Sequence, residues 1–575
     1  MTDTFVNKPE RPWPNPYLEV AAIVGHTTAT SSRVWFRTHT AGRFQVLLFN
    51  LDHVSSESID YTLKANTPTL QLFQDMVSFA TPNTPHALQT CLLLTDEQTD
   101  TTAVADFTNL TPNTHYRYLL WNETEQQVVF GHKRSLRFKT MPDETSPISF
   151  ALFSCHMPYK TTFFGRTKVS KEHMWDYLDT ALKRHRDQGL SFIIAGGDQV
   201  YADGIDTLNI WHYLKKVMRR EGAELLPKVP EMVSWYRDIY RGYWGFQALR
   251  EVFSSCPTYM IWDDHEIADG WGSFRFKAGK STDELNELLP NTSETSLSYE
   301  DRLELVNRMF TAAQQVYIEY QHSHNPPTQP NSLSTSGRVF DYHFSFPKGT
   351  VYVLDGRGQR DFNRATYKIL GKPQLDRLTR WLDELSLEQT PYVFITSAVP
   401  MVHLSHVLLD QAESGVADFG DFTDDLRDSW EHPAHKAENK KVLSALFKAA
   451  QKGHRICILS GDVHTTAAFR LTDPETGCVI YQLTSSAITY NQPRLLGWGL
   501  GKVIPDEGKT RDNYHYKRLA RFTDSSFSMI CLNPIRNTLD FQFYCEQVLE
   551  NPTTGEMTYN SHSIAKLELT FPTSR

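Results

Sequence analysis

Ile148-Ser149-Phe150-Ala151-Leu152-Phe153 runs without a charge into Ser154-Cys155-His156, and Phe192-Ile193-Ile194-Ala195 runs the same way into Gly196-Gly197-Asp198-Gln199-Val200-Tyr201-Ala202-Asp203. Short apolar runs bounded by small or polar residues read as buried strands. Between them, Met174 to His185 carries Trp175, Leu178 and Leu182 at helical spacing. Strand, helix, strand is the signature of a parallel sheet, because parallel neighbours need a crossover connection of this length. Val351 to Leu354, Val393 to Thr396 and Ile456 to Leu459 repeat the apolar pattern. Each runs into a polar or small residue at its C-terminal end, where open α/β sheets place their sites. Trp211 to Val252 and Leu303 to Tyr320 read as helical, and Asp283 to Ser298 as an acidic, Ser/Thr-rich loop or lid. Cys531 to Tyr544 and Ile564 to Leu569 read as closing strands of a sheet.

The chain ahead of this block has a different period. Residues 1 to about 145 are expected to be all-β: Ser32 to Arg37 is a strand with bulky residues on both faces, and Tyr116 to Leu120 and Leu136 to Thr140 alternate. Leu110-Thr111-Pro112-Asn113-Thr114-His115-Tyr116 resembles the L-x-P-x-T-x-Y turn of fibronectin type III modules, in which the tyrosine hydroxyl caps a corner backbone. The expectation is a sandwich at 1–145 that covers or orients a catalytic domain at 146–575. A length of 575 residues suits about two to four domains and supports cores large enough to dispense with disulfides or structural metal.

A net charge of −9 disfavours binding of long-duplex nucleic acid, which needs a basic excess. A small anionic substrate stays open wherever a bound cation sets the local field. The seven cysteines are odd in number and form no C-x-x-C pair, against both a disulfide framework and a zinc ribbon. No stretch approaches the ~20 uninterrupted apolar residues of a membrane span. Met1 to Val20 holds neither an apolar export core nor a twin arginine, so a cytoplasmic address is expected. The oligomeric state is not legible. Neither a G-x-x-x-x-G-K-[ST] loop nor a G-x-S-x-G elbow is present, which removes the P-loop and serine-hydrolase readings.

Four strand ends concentrate metal-ligand chemistry: Phe153-Ser154-Cys155-His156, Gly196 to Asp203, Ile261-Trp262-Asp263-Asp264-His265-Glu266, and Ser460-Gly461-Asp462-Val463-His464. Taken singly, an Asp after Gly reads as a turn or cap and a lone cysteine as a small core residue. Repetition changes the reading. Carboxylates suit hard cations, imidazole, thiolate and phenolate suit a transition metal, and gathering so many ionisable groups is costly in desolvation unless cations compensate.

In this order the four segments resemble the calcineurin-like metallophosphoesterase superfamily, and more closely its alkaline phosphatase D (PhoD-like) branch. Ser154-Cys155-His156, Asp263-Asp264-His265-Glu266 and Gly461-Asp462-Val463-His464 depart from the superfamily pattern as that branch does. Val351 to Arg360, Thr396 to Pro400 and Ser485-Ser486-Ala487-Ile488-Thr489 also look like it. The resemblance implies an α/β (α+β) fold of two mixed β-sheets flanked by helices, preceded by an all-β fibronectin III/Ig-like sandwich. It implies Fe(III) held by Cys155, Asp198, Tyr201 and His464, and one or two Ca²⁺, or other divalent ions, with Asp198 bridging and Asp264 and Asp462 completing that side. The donor types agree: thiolate and phenolate stabilise Fe(III), and a carboxylate-rich site prefers a hard ion.

His265, next to a ligand position, is the candidate to protonate the leaving oxygen, against a core histidine bonded to Glu266 or backbone. Arg357 is a candidate phosphate clamp, against the favoured ion pair with Asp355. His156, Asp203 and Asp428 lie near the motifs, and Trp430 and Tyr490 either border the substrate or pack. The implied activity is metal-dependent hydrolysis of a small phosphate ester, with a hydroxide held between the metals attacking phosphorus in line. The alternatives are a specialised phosphodiesterase on nucleotides, lipid head groups or nucleic-acid ends, and a non-catalytic metal-binding protein.

Overall fold

Two mixed β-sheets face each other across aromatic side chains, built from the strands that the apolar runs predict. The computed structural model describes residues 13–14, 16–65, 68–80, 87–130, 136–161, 166–186, 190–204, 209–218, 226–272, 298–328, 339–360, 368–403, 409, 427–490, 505–550 and 557–571. In the first sheet the order is β13-β12-β9-β22-β23-β24, with β9 at Ile148–Phe153, β12 at Leu190–Gly196, β13 at Thr258–Ile261, β22 at Ser526–Asn533, β23 at Thr538–Glu550 and β24 at Met557–Glu568. β9, β12 and β13 run parallel. The expected closing strands dock antiparallel, β22 directly beside β9.

The second sheet has the order β14-β15-β16-β17-β19-β18-β21-β20: β14 Tyr342–Phe346, β15 Gly349–Val353, β16 Tyr392–Thr396, β17 Arg455–Ser460, β18 Thr466–Thr472, β19 Val479–Thr484, β20 Glu507–Lys509 and β21 His515–Phe522. Phe150 of β9 meets Phe394 of β16 at 5.1 Å between ring centroids, and Phe192 of β12 meets Phe346 of β14 at 5.5 Å. Aromatic pairs at such distances add about 0.5–1.5 kcal/mol beyond simple burial. Helices His173–Arg186, Val229–Tyr243, Gln247–Phe253 and Tyr299–Tyr320 share the core of the first sheet. Helices Gly371–Glu384 and Lys436–Gln451 cover the other face of the second. A short antiparallel pair, β10 (Tyr159–Thr161) and β11 (Thr167–Val169), stands apart from both sheets.

The amino-terminal region holds a three-stranded sheet, β1 (Ala21–Thr27), β2 (Ser32–Arg37) and β5 (Thr102–Phe107), and a five-stranded one, β3 (Gly42–Asn50), β4 (Leu88–Thr95), β6 (His115–Asn122), β7 (Gln127–Phe130) and β8 (Arg137–Lys139). Val34 and Phe36 of the first share a core with Val46, Leu48, Tyr118 and Phe138 of the second. The Tyr116 hydroxyl accepts the Thr111 N–H at 2.8 Å, the corner expected of that turn. The all-β expectation for this region needs correcting: helices Ser56–Leu63 and Leu70–Ala80 lie between β3 and β4. Ile59, Phe73 and Val77 bury themselves on Leu47, Phe49, Leu119 and Trp121, the outward face of the five-stranded sheet. β2 is bulky on both faces because Val34 and Phe36 face the local core while Trp35 is buried against the larger domain, its indole N–H donating to Glu319 O at 2.7 Å.

No described helix is long and apolar enough to cross a membrane. The acidic stretch Asp283 to Ser298 lies, up to its last residue, outside the described residues.

Candidate metal centre

Because β9, β12 and β13 are parallel, their C-terminal ends lie along one edge, and β17 of the facing sheet ends against them. Two glycines allow the approach. A Cβ on Gly461 would come within 2.4 Å of Ser154 Cβ, and one on Gly197 (φ +109°) within 2.9 Å of Asp263 Cβ. The residues that follow turn sharply: Cys155, Asp198, Asp462 and His464 have φ of 58°, 57°, 65° and 49°. Left-handed backbone at non-glycine residues costs of order 1–3 kcal/mol and persists only where the surroundings enforce it. Four such residues together mark a constructed site.

One half of it is a chain of contacts. Cys155 Sγ lies 3.2 Å from Asp198 Oδ2, which lies 3.4 Å from the Tyr201 hydroxyl, which lies 3.1 Å from His464 Nε2. Donors that bind one ion at about 2.0–2.3 Å stand at such separations from each other. Ser486 Oγ is 3.1 Å from the same sulfur and accepts the His464 N–H at 3.0 Å, fixing both ends of the arc. Tyr490 stacks on His464 at 3.6 Å, and the Tyr201 ring lies on His265 at 4.0 Å. Burial, with the charge of His265 adding to it, pushes His464 down to about 3. It therefore presents a neutral imidazole, the form that binds metal. Burial, then the charge of Asp198, holds the Cys155 thiol well above its ordinary value, so a thiolate forms here only with a cation to stabilise it.

The other half is carboxylate. Asp198, Asp263, Asp264 and Asp462 bring ligand oxygens within 4.8 Å of one another. Asp198 Oδ1, Asp263 Oδ2 and Asp264 Oδ1 are buried without a hydrogen-bond partner. Burial and mutual repulsion hold Asp198 and Asp462 well above the usual carboxylate range. Carboxylates gathered this closely, with Asp198 Oδ1 and Asp263 Oδ2 left without a partner, are what a hard cation relieves, so this donor set fits a bound cation.

All six expected ligands, Cys155, Asp198, Tyr201, Asp264, Asp462 and His464, meet at this edge. His265 is bonded neither to Glu266 nor to backbone. Its Nδ1 faces both oxygens of Asp203, at 2.8 and 2.9 Å, which leaves Nε2 for the site. Its side chain keeps 16% exposure.

Arg357 requires correction as a phosphate clamp. Its side chain has no exposure, Nε pairs with Asp263, Nη1 donates to Trp271 O at 2.8 Å, and both terminal nitrogens reach Asp428, at 2.9 and 2.6 Å. The favoured pair with Asp355 is also absent: that carboxylate accepts the backbone N–H groups of Arg357 and Gly358 and the indole of Trp262. His156 is buried on Tyr243 O, Thr489 and Trp175, and Trp430 donates to Ser397, so both are packing residues. Sequence reasoning missed Asp263 as a fourth carboxylate and Glu266 as a structural one. The acidic triplet of the third motif was the available signal.

A family model described as PhoD-like phosphatase matches residues 153–499. Among curated proteins, "Uncharacterized protein YGR266W" of Saccharomyces cerevisiae is 23% identical over 340 residues, 50% of this chain and 46% of that one. The chain thus spans about half the length of that relative. The solved "Structure of PhoD" superposes with a TM-score of 0.59 at 14% identity over 98% of this chain and 94% of the other, which shows a common fold. A purple acid phosphatase, PPD1, isolated from yellow lupin (Lupinus luteus) seeds, gives 0.48 at 11% identity over 95% and 74%.

Proposed function

Since the chain belongs to the PhoD-like phosphatase family, we propose that it is a metal-dependent hydrolase of small phosphoric esters. Iron would be held by Cys155, Asp198, Tyr201 and His464, and Ca²⁺ or another divalent ion by Asp198, Asp264 and Asp462, with Asp263 beside them. The observation that carries this reading is the thiol–carboxylate–phenol–imidazole arc set against four clustered carboxylates, in which Asp198 Oδ1 and Asp263 Oδ2 have no partner. When bound, such cations supply Lewis acidity to a phosphoryl group and lower the pKa of water.

The chain's own residues do the rest. Asp203 accepts from Nδ1 of His265 and orients the ring with Nε2 toward the site. Burial opposes the charge, but the carboxylates of Asp203, Asp264 and Asp198 outweigh it and raise the pKa well above its ordinary value, so the ring is imidazolium and Nε2 carries a proton too. From there Nε2 gives its proton to the departing alcohol oxygen. The carboxylate of Asp203, the ring of Tyr201 and the backbone turn after Asp264 hold the imidazole in place. Tyr490, stacked on His464, shields the arc on one side. The amino-terminal region, 1–145, is read as a fibronectin-like sandwich that braces the catalytic domain, 146–575.

Elemental analysis of native protein, paired with hydrolysis of an aryl phosphate and its diester, tests the proposal. Bound iron with a visible thiolate/phenolate absorption band is expected, along with turnover that chelation abolishes and Ca²⁺ restores. The faster of the two substrates separates phosphomonoesterase from phosphodiesterase. Colourless, iron-free protein with full activity would refute the centre.

A further inference from the structure

Glu266 has no exposed surface, and four donors converge on it. Oε2 accepts the N–H of Asp263 at 2.8 Å and of Asp198 at 3.2 Å. Oε1 accepts the N–H of Gln199 at 2.7 Å and the side-chain amide of Gln321 at 2.9 Å. The three backbone donors come from two different turns: Asp198 and Gln199 follow β12, Asp263 follows β13. One carboxylate therefore bolts together the turn that presents Asp198 and the turn that presents Asp263 and Asp264. The spacing between those turns is the spacing between the oxygens offered to a cation.

Gln321 is what orients this bolt. It follows the helix Tyr299–Tyr320, is fully buried, and returns its own N–H to Tyr317 O at 2.8 Å, so its side chain starts from a fixed point. The same amide nitrogen also reaches the Tyr240 hydroxyl at 3.0 Å, while its Oε1 has no partner. The donor end alone is engaged. Without this bond Oε1 keeps a single donor, and the carboxylate loses the one side-chain contact that fixes its tilt between the two turns.

We infer that Gln321, acting through Glu266, is a positioning residue of the metal centre that sets the distance between its aspartate-bearing turns. The inference rests on the metal-centre reading above. It concerns a residue outside every motif of the sequence, on a helix end that offers no ligand. Partners of this kind behind metal ligands are worth about 10–100-fold in metal affinity.

The test is calorimetric titration of chelator-treated protein with Ca²⁺, and with Mn²⁺ in parallel, at a temperature where circular dichroism shows each variant fully folded. Gln321→Met keeps the volume and removes the donor. Gln321→Asn keeps the amide and draws it back by one methylene. The dissociation constant is expected to rise by about tenfold or more in Gln321→Met, and by less in Gln321→Asn. Because affinity is read from folded protein, a role confined to stability leaves it unmoved. Unchanged affinity in a folded variant overturns the inference. So does failure of both variants to fold, which makes Gln321 part of the scaffold alone. Wild-type protein that takes up neither cation refutes the metal-centre reading instead.

Discussion

Arg357 shows how a single side chain sets the charge of a buried site. Ringed by Asp263, Asp264 and Asp428, it offsets carboxylates that are all buried. Its influence is uneven. At Asp428 burial alone would raise the pKa, but the guanidiniums of Arg357 and Arg360 outweigh it and bring the group down to about 2. At Asp263 burial wins, and the pKa is pushed up to about 6 against the pull of Arg357. Asp198 and Asp462, buried and facing other carboxylates, are also held well above the usual range. An acid whose folded pKa is raised binds more protons folded than unfolded, so its protonation stabilises below the ordinary value of about 3.9 and above it until the folded pKa is passed. Through these groups the gap in stability between cation-loaded and metal-free protein is therefore expected to widen as pH rises from about 4 through 6. Asp428, of opposite sign, acts only below that window. Melting temperatures of chelated and loaded protein across this range check the point, and a gap that stays constant would count against cation compensation.

Strand ends are where the elements matter. β9, β12, β16 and β17 were legible because strands buried on both faces leave nearly continuous apolar runs, as in Phe150 to Phe153. The two helices between β3 and β4 were not, because Ser56–Leu63 is short and largely polar, and only Ile59 and Thr62 of it are buried. Ligand types were legible at the ends of runs. Their partners were not: Arg357 stands 94 positions from Asp263, and Gln321 stands 55 from Glu266, separations no local pattern records. Nor does sequence adjacency tell that both Asp263 and Asp264 meet the arginine. The glycines of the two Gly-Asp pairs carry a consequence of their own. Gly461→Ala drives a methyl into Ser154, at the point where the facing sheets meet, whereas a Cβ on Gly356 finds nothing within 4 Å. Gly461→Ala is expected to lose bound metal and about 1–3 kcal/mol of stability, and Gly356→Ala to lose neither. Metal content and urea unfolding of the pair provide the comparison, and normal metal content in Gly461→Ala would contradict it.

Across the whole molecule, the amino-terminal region is joined to the larger domain by a buried charge cluster. Asp100 is bound by Arg37 at 3.2 Å, by Arg241 at 2.8 Å and by the Tyr320 hydroxyl, and Arg241 lies on the helix Val229–Tyr243. Burial alone would raise its pKa, but the two guanidiniums hold it below the usual range. Its contribution is thus complete above about pH 3.9 and is lost only as pH falls through the lower folded value. Asp100→Asn leaves two buried guanidiniums short of a counter-charge and is expected to cost about 3–5 kcal/mol. Urea unfolding of the full chain measures it, and wild-type stability would make the cluster incidental. Tyr320, which Asp100 holds, immediately precedes Gln321, so the two regions meet one residue from the support of the metal centre. Another long connection lies within the first sheet, where β22 (Ser526–Asn533) pairs directly with β9. On the ribosome, every candidate ligand from Cys155 to His464 has been synthesised before β22 exists. Until it does, the nascent chain carries β9 with one edge bare, a surface open to pairing with other chains. Completion of the sheet that carries Cys155 and Asp198 therefore waits for a strand that supplies none of the candidate ligands.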